Sequence, residues 1–336
     1  MLRSLFLPLF LFVMTLPAAE PVRLIFDTDI TGDVDDVLAL AMCHALSDRG
    51  ACELIGVTVS KNNPRTASFV DAQNTWYGRP GLPVGVTRDP QAQQRASKYL
   101  ELADSPDYPH DLRDNASAHE AVDLLRELLA SSPDGSVTIV SVGIASNLAN
   151  LLNTAGDTHS PLDGPALIRR KAKRLSIMAG AFAFANGTNH HLEANVINGI
   201  AYMRAVAEQW PEEVPVFWSG YEIGENLPFP RRSVAEDFDY HEKHLVREAY
   251  LLHSGPEHDR PCWDQSSVLE AVFPDRGYFG LSAPGRVSVC DDGFTRFHPS
   301  GKNGGGSRRD RFLRMNPEQQ ARALEAIVQL TVQPPR

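Results

Sequence analysis

Between Val22 and Ala45 the chain runs from an apolar stretch into five aspartates within ten residues, then into apolar positions at helical spacing. The stretch Val22-Arg23-Leu24-Ile25-Phe26 is too short for a helix and is bounded by acids, so it reads as a buried strand. Val34, Val37, Leu38, Ala41, Met42 and Ala45 follow the i, i+3, i+4, i+7 pattern of a helix, with Gly50 as its stop. Strand, tight loop and helix form the building unit of an α/β sheet, and they set Asp27, Asp29, Asp33, Asp35 and Asp36 at the strand's carboxyl end. Open α/β sheets bind their ligands at that edge, and the helix N-terminus there favours ionised carboxylates. Acids this dense repel one another unless a positive charge sits among them, which points to a divalent cation.

The same alternation continues along the chain. Leu54 to Val59, Val137 to Val142, Leu175 to Ala179 and Val214 to Trp218 are short apolar runs, separated by helical patterns such as Ala118 to Leu129 and Ile197 to Trp210. The expected architecture is a mostly parallel open α/β sheet, Rossmann-like, with helices on both faces. The segments Thr87 to Asp114 and Phe294 to Arg309 lack periodicity and read as long surface loops. With 43% hydrophobic and 22% charged residues, a chain of 336 can bury one large core, so residues 20–336 are expected to form one domain. A net charge of −10 without a Lys/Arg stripe argues against nucleic acid as a partner. Self-association into a homo-oligomer is left open.

Residues 1–19 read as a secretory leader: Arg3 precedes the twelve-residue run Leu5 to Leu16, and Pro17-Ala18-Ala19 supplies small residues at the exit. Twelve residues are too few to span a bilayer comfortably, so a secreted or periplasmic location is expected rather than a stable membrane partner. Export allows disulfides among Cys43, Cys52, Cys262 and Cys290, but their spacing fixes no pairing and fits no zinc motif; buried thiols are the default.

Three readings of the aspartates compete. An EF-hand loop needs a Glu at its twelfth position and a preceding helix, whereas Leu38 and a strand stand there. A phosphatase of the haloacid dehalogenase class is the second: Phe26-Asp27-Thr28-Asp29-Ile30-Thr31 fits its opening pattern, with Asp27 as nucleophile and Asp291-Asp292 as a late acidic pair. That pattern has no use for Asp33, Asp35 and Asp36.

The third gathers more of the chain. Asp27-Thr28-Asp29 after a strand, then Asp35-Asp36 followed by Leu38-Ala39-Leu40 on a helix, resembles the opening of the nucleoside hydrolases, calcium-dependent enzymes that cleave the N-glycosidic bond of ribonucleosides. Their usual loop between the second Asp and the Asp-Asp pair is two residues shorter, so Asp33 belongs to a variant form. Further pieces follow in the family's order: Val57 to Asn62, Val140 to Leu148 with Ser146-Asn147, Glu193-Ala194-Asn195, and Trp263-Asp264. The resemblance covers residues 22 to about 275 and is carried by the ordered set.

The resemblance implies that Asp29, Asp36, Asp264 and the backbone carbonyl of Val142 hold calcium, with a water and two ribose hydroxyls completing the shell. Asp29 is then also the general base for the metal-bound water, Asp35 accepts from a ribose hydroxyl, and Asn62, Glu193 and Asn195 grip the sugar. Asp27 and Asp33 are expected to support, Asp33 as an N-cap. By local chemistry alone, Asn147 is a helix cap and Trp263 a packing aromatic. Trp263 stands where some members carry a His for the leaving base, so that role passes to His190, His191, Tyr250 or His253. A third reading of function keeps the ligands but not the activity: a calcium- or ribosyl-binding relative.

Overall fold

A computed structural model describes residues 20–93, 97–301 and 306–336; the expected leader lies outside the described residues. Among the described residues, a run of seven neighbouring strands is parallel: β1 (Val22–Thr28), β2 (Cys52–Val59), β3 (Val84–Val86), β4 (His119–Glu120), β5 (Val137–Ser141), β6 (Ala172–Met178) and β7 (Val216–Ser219), with an eighth, β13 (Asp310–Arg314), joining beyond β7. The order of the seven across the sheet is β7-β6-β5-β1-β2-β3-β4. A two-stranded ribbon, β8 (Pro228–Phe229) with β9 (Arg260–Pro261), stands apart. Past β7 the sheet is extended by β10 (Gly280–Leu281), β11 (Gly285–Val289), β12 (Thr295–Pro299) and β13 (Asp310–Arg314), of which β13 is parallel to β7 and the other pairings are antiparallel. The fold is α/β with a mostly parallel sheet, as the alternation predicts.

The helices are α1 (Asp35–Asp48), α2 (Thr66–Trp76), α3 (Ala121–Ser131), α4 (Ser146–Leu152), α5 (Gly164–Lys171), α6 (Ala194–Ile197), α7 (Ile200–Gln209), α8 (Tyr221–Glu225), α9 (Arg231–Glu236), α10 (Leu245–Ser254), α11 (Trp263–Val272) and α12 (Pro317–Thr331). Successive residues of a strand face opposite ways, and β1 shows it. Leu24 and Phe26 join a core with α1, α2, α10, α11 and α12, whereas Ile25 joins a second core with α3, α4, α5 and α7. Both faces of the sheet are therefore covered. On α1 the sequence shows one apolar stripe, yet every residue from Asp35 to Leu46 is buried, because α11 and α12 cover the side turned away from the sheet.

Three expectations need adjustment. The helix read over Ile197 to Trp210 is two, broken at Gly199, where a Cβ would lie 2.7 Å from Ile144 Cγ2. The loop read over Phe294 to Arg309 contains β12, a polar and largely exposed edge strand that offers no apolar run to read. The loop from Thr87 to Asp114 carries a 3-10 turn, Lys98–Asp104, and is pinned by buried Tyr99, Leu100 and Tyr108. All four cysteines are free thiols, and no described helix is long and apolar enough to cross a membrane.

The topology fixes where a ligand can enter. From β1 the chain builds outward through β2, β3 and β4, then returns to place β5 on the other side of β1. Neighbouring connections diverge at that reversal and leave a crevice above the carboxyl ends of β1 and β5.

Candidate metal and substrate site

Asp27 is the penultimate residue of β1 and Asp29 directly follows the strand, and the two meet opposite fates. Asp27 is fully buried within the sheet, where its carboxylate accepts from Thr58 Oγ1 on β2 (2.7 Å), Ser141 Oγ on β5 (2.9 Å) and Asn147 Nδ2 on α4 (2.8 Å). Burial outweighs these bonds and raises its pKa to about 6. Asn147 is therefore neither helix cap nor cavity residue, since α4 starts after Ala145 without a side-chain cap; it ties Asp27 down. A carboxylate held by three donors and absent from the cavity wall cannot reach a phosphorus atom, which removes the phosphatase reading. The late acidic pair of that reading sits on the surface, Asp291 with Arg204 and Asp292 with His190.

Asp29 turns into the crevice beside the chain leaving β5. A Cβ on Gly143 would come within 2.5 Å of the Asp29 backbone nitrogen, so glycine is what lets Asp29 lie against the Val142 peptide. The Asp29 carboxylate pairs with Lys61 Nζ at 2.6 Å, and Lys61 is only 6% exposed.

The longer loop then rises to Asp33. Its carboxylate takes a two-pronged ion pair from Arg260 on β9, Nε at 2.8 Å and Nη2 closer still, and Tyr99 Oη donates to its carbonyl at 2.7 Å. Burial opposes ionisation, but the adjacent guanidinium holds the Asp33 carboxyl below its usual range. Asp33 is not the expected N-cap of α1: Val34 is, without a side-chain cap bond, and the Asp33 carboxylate accepts the Val34 N–H (2.7 Å) while latching Arg260.

Asp35 and Asp36 open α1, and Asp264 lies in the first turn of α11, so two helix N-termini converge on these acids. Oxygens of Asp35, Asp36 and Asp264 lie within 4.8 Å of one another, all three residues being buried. Thr28 Oγ1 donates to Asp36. Burial first, and then mutual repulsion, push all three carboxyls well above the usual range. A set of hard oxygen donors this starved of positive charge has the chemistry of a divalent-cation site.

These groups floor a cavity of about 420 Å³, a size suited to a small molecule. One wall carries Glu193 and Asn195. Glu193 caps α6 by accepting from the Asn195 and Val196 N–H groups, and Gly180 N–H donates to it as well; burial raises its pKa to about 7. Asn195 Nδ2 donates to the carbonyls of Val142 (3.0 Å) and Met178 (3.1 Å). Beside them the lining turns aromatic: the Tyr221 N–H donates to the Gly180 carbonyl (2.8 Å), Tyr221 and Trp263 have ring centroids 5.1 Å apart, and Trp263 Nε1 donates to the Tyr221 carbonyl.

Most of the residues picked out from sequence meet here: Asp29, Asp33, Asp35, Asp36, Val142, Glu193, Asn195 and Asp264 all line the cavity. Asn62 does not, since its side-chain carbonyl accepts from Asn115 (2.7 Å) and its neighbour Lys61 takes the place on the wall. Of the four candidates for the leaving base, His253 lines the cavity, 3.9 Å from Asp33. His191 packs at a tilt against Tyr221 (ring centroids 3.9 Å apart) and does not line the cavity, His190 pairs with Asp292 on the surface, and Tyr250 is buried with its hydroxyl donating to the His258 carbonyl. Sequence reasoning missed Lys61, Tyr221 and Arg260, which stand alone among ordinary neighbours; only a basic residue directly before Asn62 hinted at the first.

The family model for inosine-uridine preferring nucleoside hydrolases matches residues 24–236. Comparison with curated proteins gave no match. Similar solved structures include a plant nucleoside hydrolase, 20% identical with a TM-score of 0.70 over 94% of this chain and 100% of that one. An inosine-uridine preferring nucleoside hydrolase from Bacillus anthracis is 17% identical with a TM-score of 0.68, covering 93% and 99%. The type III effector protein XopQ, complexed with adenosine diphosphate ribose, is 15% identical with a TM-score of 0.69, covering 94% and 96%. At these identities the structures establish a shared fold, while the family model covers well over half of the sequence. The chain belongs to the inosine-uridine preferring nucleoside hydrolase family, whose members are hydrolases acting on N-glycosyl bonds.

Proposed function

We propose that this protein hydrolyses the N-glycosidic bond of a ribonucleoside or related N-riboside, with calcium held at the acidic cluster. The observation that carries the reading is the meeting of Asp35, Asp36 and Asp264 in a cavity that polar groups, Glu193 and Asn195, and aromatic rings, Tyr221 and Trp263, also line. Asp36, Asp264, Asp29 and the Val142 carbonyl would hold the cation; an all-oxygen set suits calcium rather than zinc. The bound cation supplies positive charge that offsets the clustered acids and makes a nearby water more acidic.

The chain's own groups do the rest. Asp29 accepts the proton of the attacking water as general base. Asp35 and the free Oδ1 of Asn195 accept from ribose hydroxyls, and Glu193 holds the far side of the sugar. As the bond breaks, the sugar ring gains oxocarbenium character, and the buried carboxylates around it stabilise that positive charge. Tyr221 and Trp263 offer the departing base a stacking surface. His253 is the cavity-lining donor for its nitrogen.

The test is ribose release from a panel of ribonucleosides, with and without a calcium chelator, by wild type and Asp29→Ala. Release lost on chelation and in the variant supports the proposal; undiminished release in either case overturns it. A second reading, a ribosyl-binding protein without turnover, is favoured by the Lys61 ion pair that engages the proposed base. Calcium and ribose binding with no release from any nucleoside would select it. We also infer export through the leader, tested by whether the intact mass of the cell-derived protein lacks residues 1–19.

A further inference from the structure

The acids lining the cavity differ in what balances them. Arg260 takes Asp33 and Lys61 takes Asp29, leaving Asp35, Asp36 and Asp264 as the converging set. Lysine is rarely buried to this degree unless it is paired, and the backbone holds it there. Ser60, just before it, donates from both its N–H and its hydroxyl to the Thr28 carbonyl, and Asn62, just after it, donates its N–H to the Gln93 carbonyl. The acidic loop leaves room for the ammonium: a Cβ on Gly32 would sit 3.0 Å from Lys61 Nζ. The lysine is thus a fixed part of the cavity lining.

We propose that the Lys61 ammonium is a built-in counter-ion that shares Asp29 with the divalent cation, lowering cation affinity while holding Asp29 in place as the base. The inference rests on the reading of this cluster as a calcium site. Two cations facing one carboxylate repel each other and divide its charge, so calcium binds against the lysine's field. Removing the ammonium frees Asp29 to become a full ligand. The cation should then bind more tightly, while the base loses the partner that orients it. Lys61 is a positioning residue in this account: it acts through Asp29.

The test is calorimetric titration of calcium into wild type, Lys61→Met and Lys61→Arg, all first stripped with chelator, with ribose release measured at saturating calcium. Lys61→Met should bind calcium about tenfold or more tightly than wild type. Lys61→Arg should stay near wild type, and kcat at saturating calcium should fall in Lys61→Met. Structural damage cannot mimic this result, because it weakens binding. Should the stripped Lys61→Met fail to fold, Lys61→Gln is titrated in its place. Calcium binding in the variant but not in wild type also supports the proposal. Wild-type binding with equal or weaker binding in the neutral variants overturns the counter-ion role and leaves the calcium site standing. No binding by any of the proteins overturns both.

Discussion

Replacing Asp27 separates a buried tie from a reacting group. Asp27→Ala removes the acceptor for three buried donors, those of Thr58, Ser141 and Asn147. Each buried donor left unsatisfied costs about 1–3 kcal/mol. The two hydroxyls can rotate toward other acceptors and the Asn147 amide cannot, so the sum is about 3–5 kcal/mol. Asp27→Asn keeps an oxygen for Thr58 and Asn147 and sets an NH2 group toward Ser141, whose hydroxyl can turn to accept it. It also removes a carboxylate whose burial has raised its pKa to about 6, so the expected loss is about 1 kcal/mol or less. Urea unfolding followed by circular dichroism reads both, as shifts in midpoint at constant slope. Equal damage from the two substitutions, or an alanine variant within about 1 kcal/mol of wild type, would refute the buried-tie argument. A nucleophilic Asp27 predicts something different: a stable Asn variant with no activity toward any substrate.

Other outcomes follow from the same geometry. Arg126 is 2% exposed and donates to the exposed Asp157, to Thr154 Oγ1 and to the carbonyls of Ser160 and Leu162, so Arg126→Met, which strips those acceptors of their donor, should cost about 2–4 kcal/mol in urea unfolding. An effect below about 1 kcal/mol would show that the Asp157–Leu162 segment does not depend on it. His44, stacked on Tyr77 and bonded to Asn74, has its pKa lowered by burial to about 3. The folded protein keeps it neutral while the unfolded chain takes a proton near pH 6.5, so its contribution is full above that pH and is lost as pH falls. The stability difference between wild type and His44→Gln should therefore change by about 1.3 kcal/mol between pH 7 and pH 5.5, against wild type. A difference that stays constant over that range would contradict it. Taking the difference matters because the raised carboxyls of the acidic cluster shift stability in the opposite direction.

What the sequence revealed depended on how local the information was. The end of β1, the acidic loop and the start of α1 are contiguous, and a short apolar run giving way to helical spacing is visible in a single chain. Asp264 is more than two hundred residues from Asp36, and neither spacing nor composition links them; only the family's order of motifs did. Asn62 and Lys61 show the limit of that order. They are neighbours on an extended segment, their side chains point to opposite sides, and a motif aligned to one says nothing about which faces the cavity. Asp33 fits a capping pattern, yet it lies one residue before the N-cap, and its carboxylate takes only the Val34 N–H from the helix end while also holding a guanidinium from β9. Tyr221 and Arg260 carry no local signal, because they become cavity residues only when α8 and β9 pack beside α11. On β12 the failure is of another kind: an edge strand exposed to water needs no apolar run.

The central claim is that calcium, held by acids from both ends of the chain, drives N-riboside hydrolysis in this crevice. Ribose release measured against free calcium, for wild type and Asp264→Ala side by side, tests it most directly. Release should rise from zero to saturation in wild type, and Asp264→Ala should need about tenfold or more calcium to reach half of its own maximum. Release at full rate in chelator, or an unchanged calcium requirement in Asp264→Ala, would contradict the account.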